Sequence, residues 1–256
     1  MIETTQLSIG YRKGRNTRQV QTQLGLHAGA GELVAILGPN GCGKSTLLRT
    51  LGGLQEPLSG SIRIGGNPLQ TLSLHNRARI MSLVLTEAVQ VVYITVYEMV
   101  AMGRHPYTTL TGKLSEKDES IIHIALEAVR MTSYTHRFFQ ELSDGERQRV
   151  MVAKALAQDT PVIFLDEPTS HLDLPNRIEM MLLLRKLSRE TGKTILLSTH
   201  EIDLALRLAD YIWLMKPQGG VATGSPADLM QQGVIQAVFH SNDFGFDPET
   251  GRVIIF

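Results

Sequence analysis

The sequence predicts an α/β fold with a largely parallel sheet, and two kinds of segment predict it. Short apolar runs, typical of buried strands, lie next to turn or polar residues at 33–37, 162–165 and 194–198. Helical patterns lie between and after these runs. Buried strands that alternate with helices are characteristic of a parallel sheet with both faces covered. The 256 residues, of which 43% are apolar, suffice for one domain with a sizeable core.

The helices of this core are marked by their end signals. One is expected from Lys44 to about Leu54, soon after the first strand. Another is expected to run to about Glu190, because Pro175 suits the first turn of a helix and Gly192 suits its end.

The remaining segments have a different character. The stretch from about 87 to 157 is mainly helical in pattern, with a capping-box sequence at Ser115–Asp118 ahead of a periodic apolar segment. We interpret it as a helical insertion in the α/β core. The opening forty residues and 61–66 are expected to be rich in strands. The tail after Phe239 is expected to be rich in turns, with a short strand from 252 to 256.

The bulk composition argues against several classes of protein. Lys and Arg total 25, as do Asp and Glu, so there is no electrostatic case for nucleic-acid binding. Cys42 is the single cysteine, which suits a reducing compartment. The N-terminus lacks the features of a signal peptide, and no apolar stretch reaches the roughly 20 residues of a membrane span. The chain is therefore expected to be soluble, with any membrane role exercised through a partner.

A glycine-rich segment after the first strand matches the phosphate-binding pattern G-x-x-x-x-G-K-[ST]. Its glycines allow backbone N–H groups to surround phosphate oxygens at a helix N-terminus. Lys44 is expected to reach the β- and γ-phosphates, and Ser45 to ligate Mg²⁺. The strand before the segment and the helix after it argue against a chance match. The nucleotide-binding residues predicted here are Gly38, Pro39, Asn40, Gly41, Cys42, Gly43, Lys44, Ser45 and Thr46.

Polar residues follow the second and third predicted strands. Asp166 closes the second strand, where a carboxylate suits Mg²⁺ held through water. Glu167 beside it is placed to polarise an attacking water as a general base. Taken alone, the two acids fit an ordinary polar loop, but the phosphate-binding segment upstream favours the catalytic interpretation. His200 follows the third strand, where a contact to the γ-phosphate is needed, and we interpret it as catalytic.

The segment Leu142–Glu146 precedes a helix expected from about Arg147 to Gln158. Ser143 and Glu146 have the spacing of a capping box, so a structural role as a helix cap explains them well. The alternative is that the free N–H groups of this helix start bind a phosphate held by another chain.

Taken together and in this order, these segments resemble the ABC (ATP-binding cassette) ATPase family, and the resemblance spans nearly the whole chain. Its elements are a Walker A motif at 38–45, a signature motif at 142–146, a Walker B motif at 162–166 followed by Glu167, a D-loop at 170–173 and the switch histidine His200. The resemblance implies a P-loop NTPase core of ABC type, with a β-rich N-terminal subdomain and a helical insertion at about 87–157. Residues 1–256 then form a single nucleotide-binding domain.

The resemblance also implies the ligands. ATP and Mg²⁺ are the expected cofactors, and Tyr11 stands where the family has an aromatic ring that stacks on adenine. Two copies of the chain pair head to tail, so that ATP lies between the P-loop of one and the signature of the other. Ser143, Gly145 and Asp173 are then expected to contact nucleotide held by the second copy.

Membership of the family further implies a membrane partner. ATP binding closes the dimer, hydrolysis opens it, and integral membrane permease subunits convert that cycle into transport. A periplasmic or surface substrate-binding protein takes part indirectly, and nucleic acid does not. The chain is expected to be a peripheral protein at the cytoplasmic face of the inner membrane.

The signature departs from the family pattern at two positions. Asp144 stands in place of Gly and Glu146 in place of Gln, which brings two carboxylates near an incoming phosphate. We expect either that Arg147 or Arg149 offsets this charge or that closure of the dimer is weak. The substitution Asp144→Gly should then strengthen ATP-driven dimerisation.

A third departure concerns the glutamine that in the family touches Mg²⁺ and links the site to the membrane partner. Thr86 stands at that position with Glu87 after it, and both are candidate metal ligands beside Ser45 and Asp166. Cys42 lies inside the phosphate-binding segment, near a helix N-terminus that could lower the pKa of its thiol, and we interpret it as a small residue that the loop tolerates.

Within the family, residues 95–107, 169–176 and 246–253 resemble the importers of iron-siderophores, haem and cobalamin. The transported substrate does not touch this subunit, so its identity stays open. Two other functions also stay open: a non-transport ABC ATPase of cluster-assembly type, and a regulatory nucleotide-binding module without turnover. ATP turnover that disappears in Glu167→Gln would exclude the regulatory module.

Overall fold

The computed structural model describes residues 1–14, 16–86, 91–109, 112–217, 219–239, 244–246 and 253–255. Thirteen strands lie in these ranges: β1 Ile2–Lys13, β2 Asn16–Leu24, β3 His27–Ala28, β4 Leu33–Leu37, β5 Ser59–Ile64, β6 Asn67–Pro68, β7 Met81–Val84, β8 Val162–Asp166, β9 Thr194–Ser198, β10 Tyr211–Met215, β11 Val221–Gly224, β12 Phe244–Phe246 and β13 Val253–Ile255. Nine α-helices lie in the same ranges: α1 Lys44–Leu51, α2 Leu74–Ile80, α3 Val96–Ala101, α4 Glu116–Ala128, α5 Asp144–Ala157, α6 Leu174–Thr191, α7 Ile202–Leu208, α8 Pro226–Gln231 and α9 Val234–Phe239.

Six strands form the central sheet, in the order β11-β10-β4-β9-β8-β7. Each neighbouring pair from β10 to β7 is parallel, and β11 is an antiparallel edge. Every residue of β4, β8 and β9 is buried, which explains their continuous apolar sequences. The predicted α/β fold with a largely parallel sheet is confirmed.

The strand order determines which loops meet. β9 lies between β4 and β8, and all three run in the same direction. The carboxyl ends of parallel strands lie at one edge of the sheet, which is where open α/β sheets bind ligands. The loops that follow β4, β8 and β9 therefore meet at one edge.

A second, antiparallel sheet carries the N-terminal residues, in the order β2-β1-β5-β6 with β3 beside β1. One buried cluster joins this sheet to α1 and to the central sheet, and it includes Ile9, Leu47 and Phe164. Burial of each such side chain contributes roughly 1.5–3 kcal/mol, so the N-terminal sheet is held firmly against α1.

The stretch expected to be helical contains α3, α4 and α5, whose apolar faces share one buried cluster that includes Val100, Ile122 and Val150. The chain after α3 comes very close to α5. A Cβ added at Gly103 would lie 2.4 Å from the carbonyl oxygen of Lys154, so only glycine permits this approach.

A buried arginine fastens these helices together. Arg104 Nε donates to Asp118 Oδ1 at 2.8 Å, and its Nη1 donates to the carbonyl oxygen of Ala157 at 2.7 Å. The guanidinium also lies 4.0 Å from the ring centre of Tyr107, within the range of a cation–π contact. Arg104 therefore links the first turn of α4 to the last residue of α5.

Gln158, directly after α5, fastens the helical stretch to the central sheet. Its Nε2 donates to the carbonyl oxygen of Ala78 at 2.7 Å and to that of Met81 at 2.9 Å. Met81 is the first residue of β7, the edge strand on this side.

Three helix ends can be compared with the sequence predictions. α1 ends at Leu51 and not near Leu54, because a glycine pair follows and Gly53 has φ +69. α5 begins at Asp144 and not near Arg147, because Ser143 is its N-cap. The predicted end of α6 is confirmed, with Gly192 in the left-handed conformation.

The C-terminal strand was predicted from the sequence, whereas two strands of the central sheet were not. The predicted strand at 252–256 is observed as β13, where Arg252 and Phe256 lie outside the described residues. β13 pairs antiparallel with β12. The short apolar strands β7 and β10, which complete the parallel sheet, were not singled out from the sequence.

Candidate nucleotide-binding site

The loop between β4 and α1 has the conformation of a close backbone cradle. Gly38, Gly41 and Gly43 have φ values of +148, +78 and +105. A Cβ at Gly38 would lie 2.6 Å from the carbonyl oxygen of Met215, and one at Gly43 would lie 2.3 Å from Val20 Cγ1. The segment therefore requires glycine at both positions, both for conformation and for space.

Lys44, the first residue of α1, turns its ammonium back over this loop. Nζ donates to the carbonyl oxygens of Gly38 at 2.9 Å and Pro39 at 3.3 Å, and the residue is only 5% exposed. Burial lowers the pKa of Lys44, while the nearby Asp166 and Glu167 carboxylates act in the opposite direction. Its charge is thus held at the loop by backbone carbonyls that an anion could replace.

Asp166, at the end of β8, accepts hydrogen bonds from hydroxyl groups on two other elements. Its Oδ1 accepts from Ser45 Oγ at 3.0 Å and from Ser198 Oγ at 2.6 Å. Its carbonyl oxygen accepts from Thr86 Oγ1 at 2.9 Å. Sequence reasoning missed Ser198, whose position opposite Asp166 depends on the pairing of β8 with β9.

Hydrogen bonds made by its backbone N–H hold Glu167 in place, and its side chain points towards His200. Its φ is +51, an uncommon value for a residue other than glycine. The Glu167 N–H donates to Ser198 Oγ at 3.0 Å and lies 3.2 Å from the Ser198 carbonyl oxygen. At the other end of the residue, Oε1 is 2.5 Å from His200 Nε2. Such strain costs about 1–3 kcal/mol and is concentrated at functional sites.

These groups line a cleft of about 390 Å³. Its described lining residues are Tyr11, Arg18, Val20, Asn40, Gly41, Gly43, Lys44, Ser45, Thr46, Glu167 and His200. The Tyr11 hydroxyl lies 2.8 Å from Thr46 Oγ1, which fixes the ring beside the start of α1. Sequence reasoning missed Arg18 and Val20, because only the β1–β2 register places Arg18 opposite Tyr11.

Cys42 differs from the expectation based on its helix N-terminus. The thiol is 7% exposed, and burial raises its pKa, an effect that the nearby Lys44 only partly opposes. The lowering of this pKa that a helix N-terminus could cause is not found, because desolvation of the thiolate outweighs the effect of Lys44. Cys42 is not among the described residues that line the cleft.

The signature segment is a helix cap in this chain. Ser143 Oγ and the Ser143 N–H both donate to Glu146 Oε2 at 2.8 Å. Gly145 faces the start of α6, where Asp173 accepts from the Asn176 N–H at 3.0 Å. Neither Ser143, Gly145 nor Asp173 is among the described residues that line the cleft.

The charge of Asp144 is paired within its own helix. Arg147 Nη1 lies 3.3 Å from Asp144 Oδ1, whereas Arg149 is bound to Glu179 at 2.5 Å. Of the two arginines expected to offset the acid, Arg147 is the one in contact with it. A small cavity of about 160 Å³ lies at this place, and its described lining residues are Leu85, Thr86, Phe139, Asp144, Arg147, Gln148, Met151, Glu167, Ser170 and His171.

The oxygen atoms around Asp166 suit a small hard cation. Ser45 Oγ and the Asp166 carboxylate are the kinds of ligand that Mg²⁺ prefers, with substrate phosphates and waters completing the shell. No group of three or more His, Cys, Asp or Glu side chains that could hold a metal alone occurs in the described part of the chain. The Thr86 hydroxyl is engaged by the Asp166 carbonyl, and the other candidate ligand, Glu87, lies outside the described residues.

Comparison with known proteins agrees with this geometry. The family model described as ABC transporter matches residues 22–170. The chain belongs to the ABC transporter family. An uncharacterised ABC transporter ATP-binding protein of Methanocaldococcus jannaschii is 39% identical over 251 residues, covering 98% of this cassette and 85% of the relative. The iron(3+)-hydroxamate import ATP-binding protein of Bacillus subtilis is 34% identical over 254 residues, covering 99% of this cassette and 93% of the relative.

Solved structures also resemble this cassette. One, described as an inward-facing metal-chelate type ABC transporter, matches with a TM-score of 0.81 and 26% identity, covering 100% of this cassette and 96% of that chain. A dimeric ATP-binding cassette in a post-hydrolysis state with ADP and Pi matches with a TM-score of 0.76 and 27% identity, covering 88% and 99%. This ABC ATPase therefore binds ATP. In its described part, no helix has the length and apolar character to cross a membrane.

Proposed function

We propose that this chain is the ATP-hydrolysing motor subunit of an ABC importer for iron-siderophore, haem or cobalamin-type substrates. The observation that carries the proposal is the convergence of Lys44, Asp166 and the Glu167–His200 pair at one sheet edge. The substrate class is supported by the iron-hydroxamate import relative and by the metal-chelate type neighbour.

The phosphate end of ATP binds at the cradle between β4 and α1. The residues at 38–46 other than Pro39 surround the phosphates with backbone N–H groups, and Lys44 exchanges the two carbonyl oxygens for β- and γ-phosphate oxygens. Ser45 and Asp166 would hold Mg²⁺, which would supply positive charge to neutralise the phosphates. Tyr11 supplies an apolar face for the adenine at the far end of the cleft.

Glu167 acts on the water that attacks the γ-phosphate. Its carboxylate accepts a proton from that water, and its backbone is fixed by Ser198 so that the carboxylate keeps its position. His200, hydrogen-bonded to Glu167, orients the carboxylate and contacts the γ-phosphate. The acid and the histidine thus form one hydrolytic unit.

Two copies form the working assembly, with the signature of each facing nucleotide on the other. Ser143 and Gly145 at the start of α5, and Asp173 at the start of α6, contribute from the second copy. The dimeric cassette with ADP and Pi supports this arrangement. Residues 1–256 form one nucleotide-binding domain with a helical subdomain at about 87–157.

Integral membrane permease subunits are the partners that convert the ATP cycle into transport. The cassette is then peripheral to the cytoplasmic face of the inner membrane. A periplasmic or surface substrate-binding protein acts indirectly, by delivering substrate to the permease.

The test is purification of the Glu167→Gln chain with its native membrane partners in Mg-ATP. We expect a separately encoded protein with many membrane spans to co-purify, and wild-type chain to hydrolyse ATP. Soluble partners alone would favour the cluster-assembly ATPase. Absence of turnover in the wild-type complex would favour the regulatory module.

A further inference from the structure

One carboxylate, that of Glu146, binds both hydrogen-bond donors of Ser143, the serine of the signature segment. Glu146 Oε2 accepts both from the Ser143 N–H and from Ser143 Oγ, each at 2.8 Å. Ser143 Oγ in turn lies 3.4 Å from the Glu146 N–H, which closes the capping box. Both donors that Ser143 can offer are therefore engaged inside the chain.

The chemistry of a hydroxyl makes this engagement exclusive. Ser143 Oγ carries one proton, and it can donate that proton to only one strong acceptor at a time. A hydrogen bond to an ionised carboxylate is roughly twice as strong as one to a neutral amide oxygen. Glutamine, the residue that the family pattern has here, would hold the same proton more weakly.

The surroundings keep Glu146 in its ionised form. Hydrogen bonds from the Ser143 backbone, opposed in part by desolvation, lower its pKa, and the Ser143 and Tyr134 hydroxyls and the charge of Arg137 add to the effect. In the described part of the chain, no ion pair includes Glu146, whereas Asp144 is paired with Arg147. Glu146 is thus the acid of the signature that no cation among the described residues contacts in an ion pair.

We propose that Glu146 is a positioning residue that competes with the γ-phosphate of ATP for the hydroxyl of Ser143, and thereby raises the ATP concentration needed to close the dimer. The proposal rests on the proposed function, in which nucleotide held by a second copy meets this helix start. For the phosphate to bind Ser143, the hydroxyl must turn away from Glu146, and two anions must then share the first turn of α5.

The chain contains a matched control for the capping box itself. At the start of α3, Glu98 Oε2 accepts from the Thr95 N–H at 2.8 Å and from Thr95 Oγ1 at 2.7 Å. The same hydrogen bonds lower the pKa of Glu98. Glu98 is not among the described residues that line the nucleotide cleft, so Glu98→Gln measures the loss of charge at a helix cap away from that cleft.

The experiment uses the full chain with Glu167→Gln as background, because that variant is expected to bind ATP without hydrolysing it. The fraction of dimer is measured by multi-angle light scattering during size exclusion as ATP is raised. Adding Glu146→Gln should lower the ATP concentration for half-maximal dimer roughly tenfold, since a charge-assisted bond is replaced by a neutral one at each of two sites. Adding Glu98→Gln should leave that concentration unchanged.

Two further variants make each outcome decisive. Ser143→Ala removes the contested hydroxyl, so Glu146→Gln should have no additional effect in that background. Glu146→Ala, which removes the competing acceptor entirely, should lower the ATP requirement even if thermal melting shows a less stable helix. An unchanged requirement in both Glu146 variants overturns the inference and leaves the proposed function standing. Failure of the Glu167→Gln chain and of every variant to dimerise overturns both.

Discussion

The imidazole of His200 is joined to the carboxylate of Glu167 by a hydrogen bond of 2.5 Å between Nε2 and Oε1. The two residues follow different strands, β9 and β8, which are neighbours in the central sheet. Glu167 is about one-quarter exposed and His200 just under one-half, so the pair stands at the mouth of the cleft and is not sealed in the core. A change to either residue should therefore affect hydrolysis with little effect on folding.

The substitution Glu167→Gln tests the role of the acid. It removes the base but retains the shape, so ATP should still bind while turnover falls about 10²–10⁴-fold. Phosphate release and equilibrium binding of a fluorescent ATP analogue measure the two quantities separately. The control is Glu201→Gln, which breaks a surface ion pair with Arg177. Hydrolysis at the wild-type rate in Glu167→Gln would show that the base is misassigned.

The substitution Ser198→Ala tests a residue that lies behind the Glu167–His200 pair. Its hydroxyl donates to Asp166 and accepts from the Glu167 N–H, so its loss frees both acidic residues to shift. We expect turnover to fall at least tenfold, with ATP binding altered less. Ser188→Ala is the matched control, because Ser188 is also fully buried and donates only to Arg185 within its own helix. Equal losses of turnover in the two variants would mean a purely structural role.

The substitution Lys44→Ala should abolish measurable ATP binding. The loop would lose the buried ammonium that its carbonyl oxygens hold in place for the phosphates. Lys193→Ala is the control, since its ammonium is also bound to a carbonyl oxygen, that of Thr160, and to Asp159. Isothermal titration with ATP should therefore give a normal binding curve for Lys193→Ala and none for Lys44→Ala.

The buried pair of Arg104 and Asp118 should dominate the stability of the helical stretch. Replacing Arg104 with Met leaves a buried carboxylate without its cation, which should lower the free energy of unfolding by about 3–5 kcal/mol. Urea denaturation measures this loss. The exposed pair Lys186–Glu190 offers a control, where Lys186→Met should cost less than about 1 kcal/mol.

The same pair gives a prediction for pH. The pKa of Asp118 is lowered from its ordinary 3.8 to about 2, first by hydrogen bonds from Ser115 and further by Arg104. A carboxyl with a depressed pKa stabilises the fold above its unfolded pKa, and the contribution is lost as pH falls through the folded pKa. The contribution of Asp118 to the free energy of unfolding should therefore be fully present above about pH 5. It should be lost as the pH falls from about 4 to about 2. Asp118→Asn should flatten the stability profile in that interval.

Cys42 should react slowly in the native protein. Its thiol is nearly buried and its pKa is raised, and both properties disfavour the reactive thiolate. Mass spectrometry after timed exposure to iodoacetamide should show little modification until the chain is unfolded in urea. Rapid native alkylation that ATP prevents would contradict the burial described here.

Most of what could be predicted from the sequence rested on short motifs of consecutive residues. Lys44, Ser45 and Asp166 lie in short runs whose spacing reflects the cradle and the strand end, and those runs predicted both fold and site. Ser198 and Arg18 could not be found in this way, because their positions depend on which strands are neighbours and in which register. Register arises from packing between distant segments, and a single sequence does not display it.

The sequence also could not show which arginine pairs with the charge of Asp144 in the signature segment. Arg147 and Arg149 were equivalent candidates to offset Asp144, and only the helix geometry separates them. Because α5 begins at Asp144, Arg147 is three residues on and lies over the same face, while Arg149 points towards α6 and Glu179.

β7 is tied to its surroundings at both ends. The carbonyl oxygen of Met81, its first residue, accepts a hydrogen bond from Gln158, which follows α5. Two residues beyond the end of the strand, the Thr86 hydroxyl donates to the carbonyl oxygen of Asp166. The strand between them is short and bonded along its length to β8, so it cannot absorb much displacement. The end of α5 is therefore connected to the main chain of Asp166 through one short, tightly bonded segment, residues 81–86.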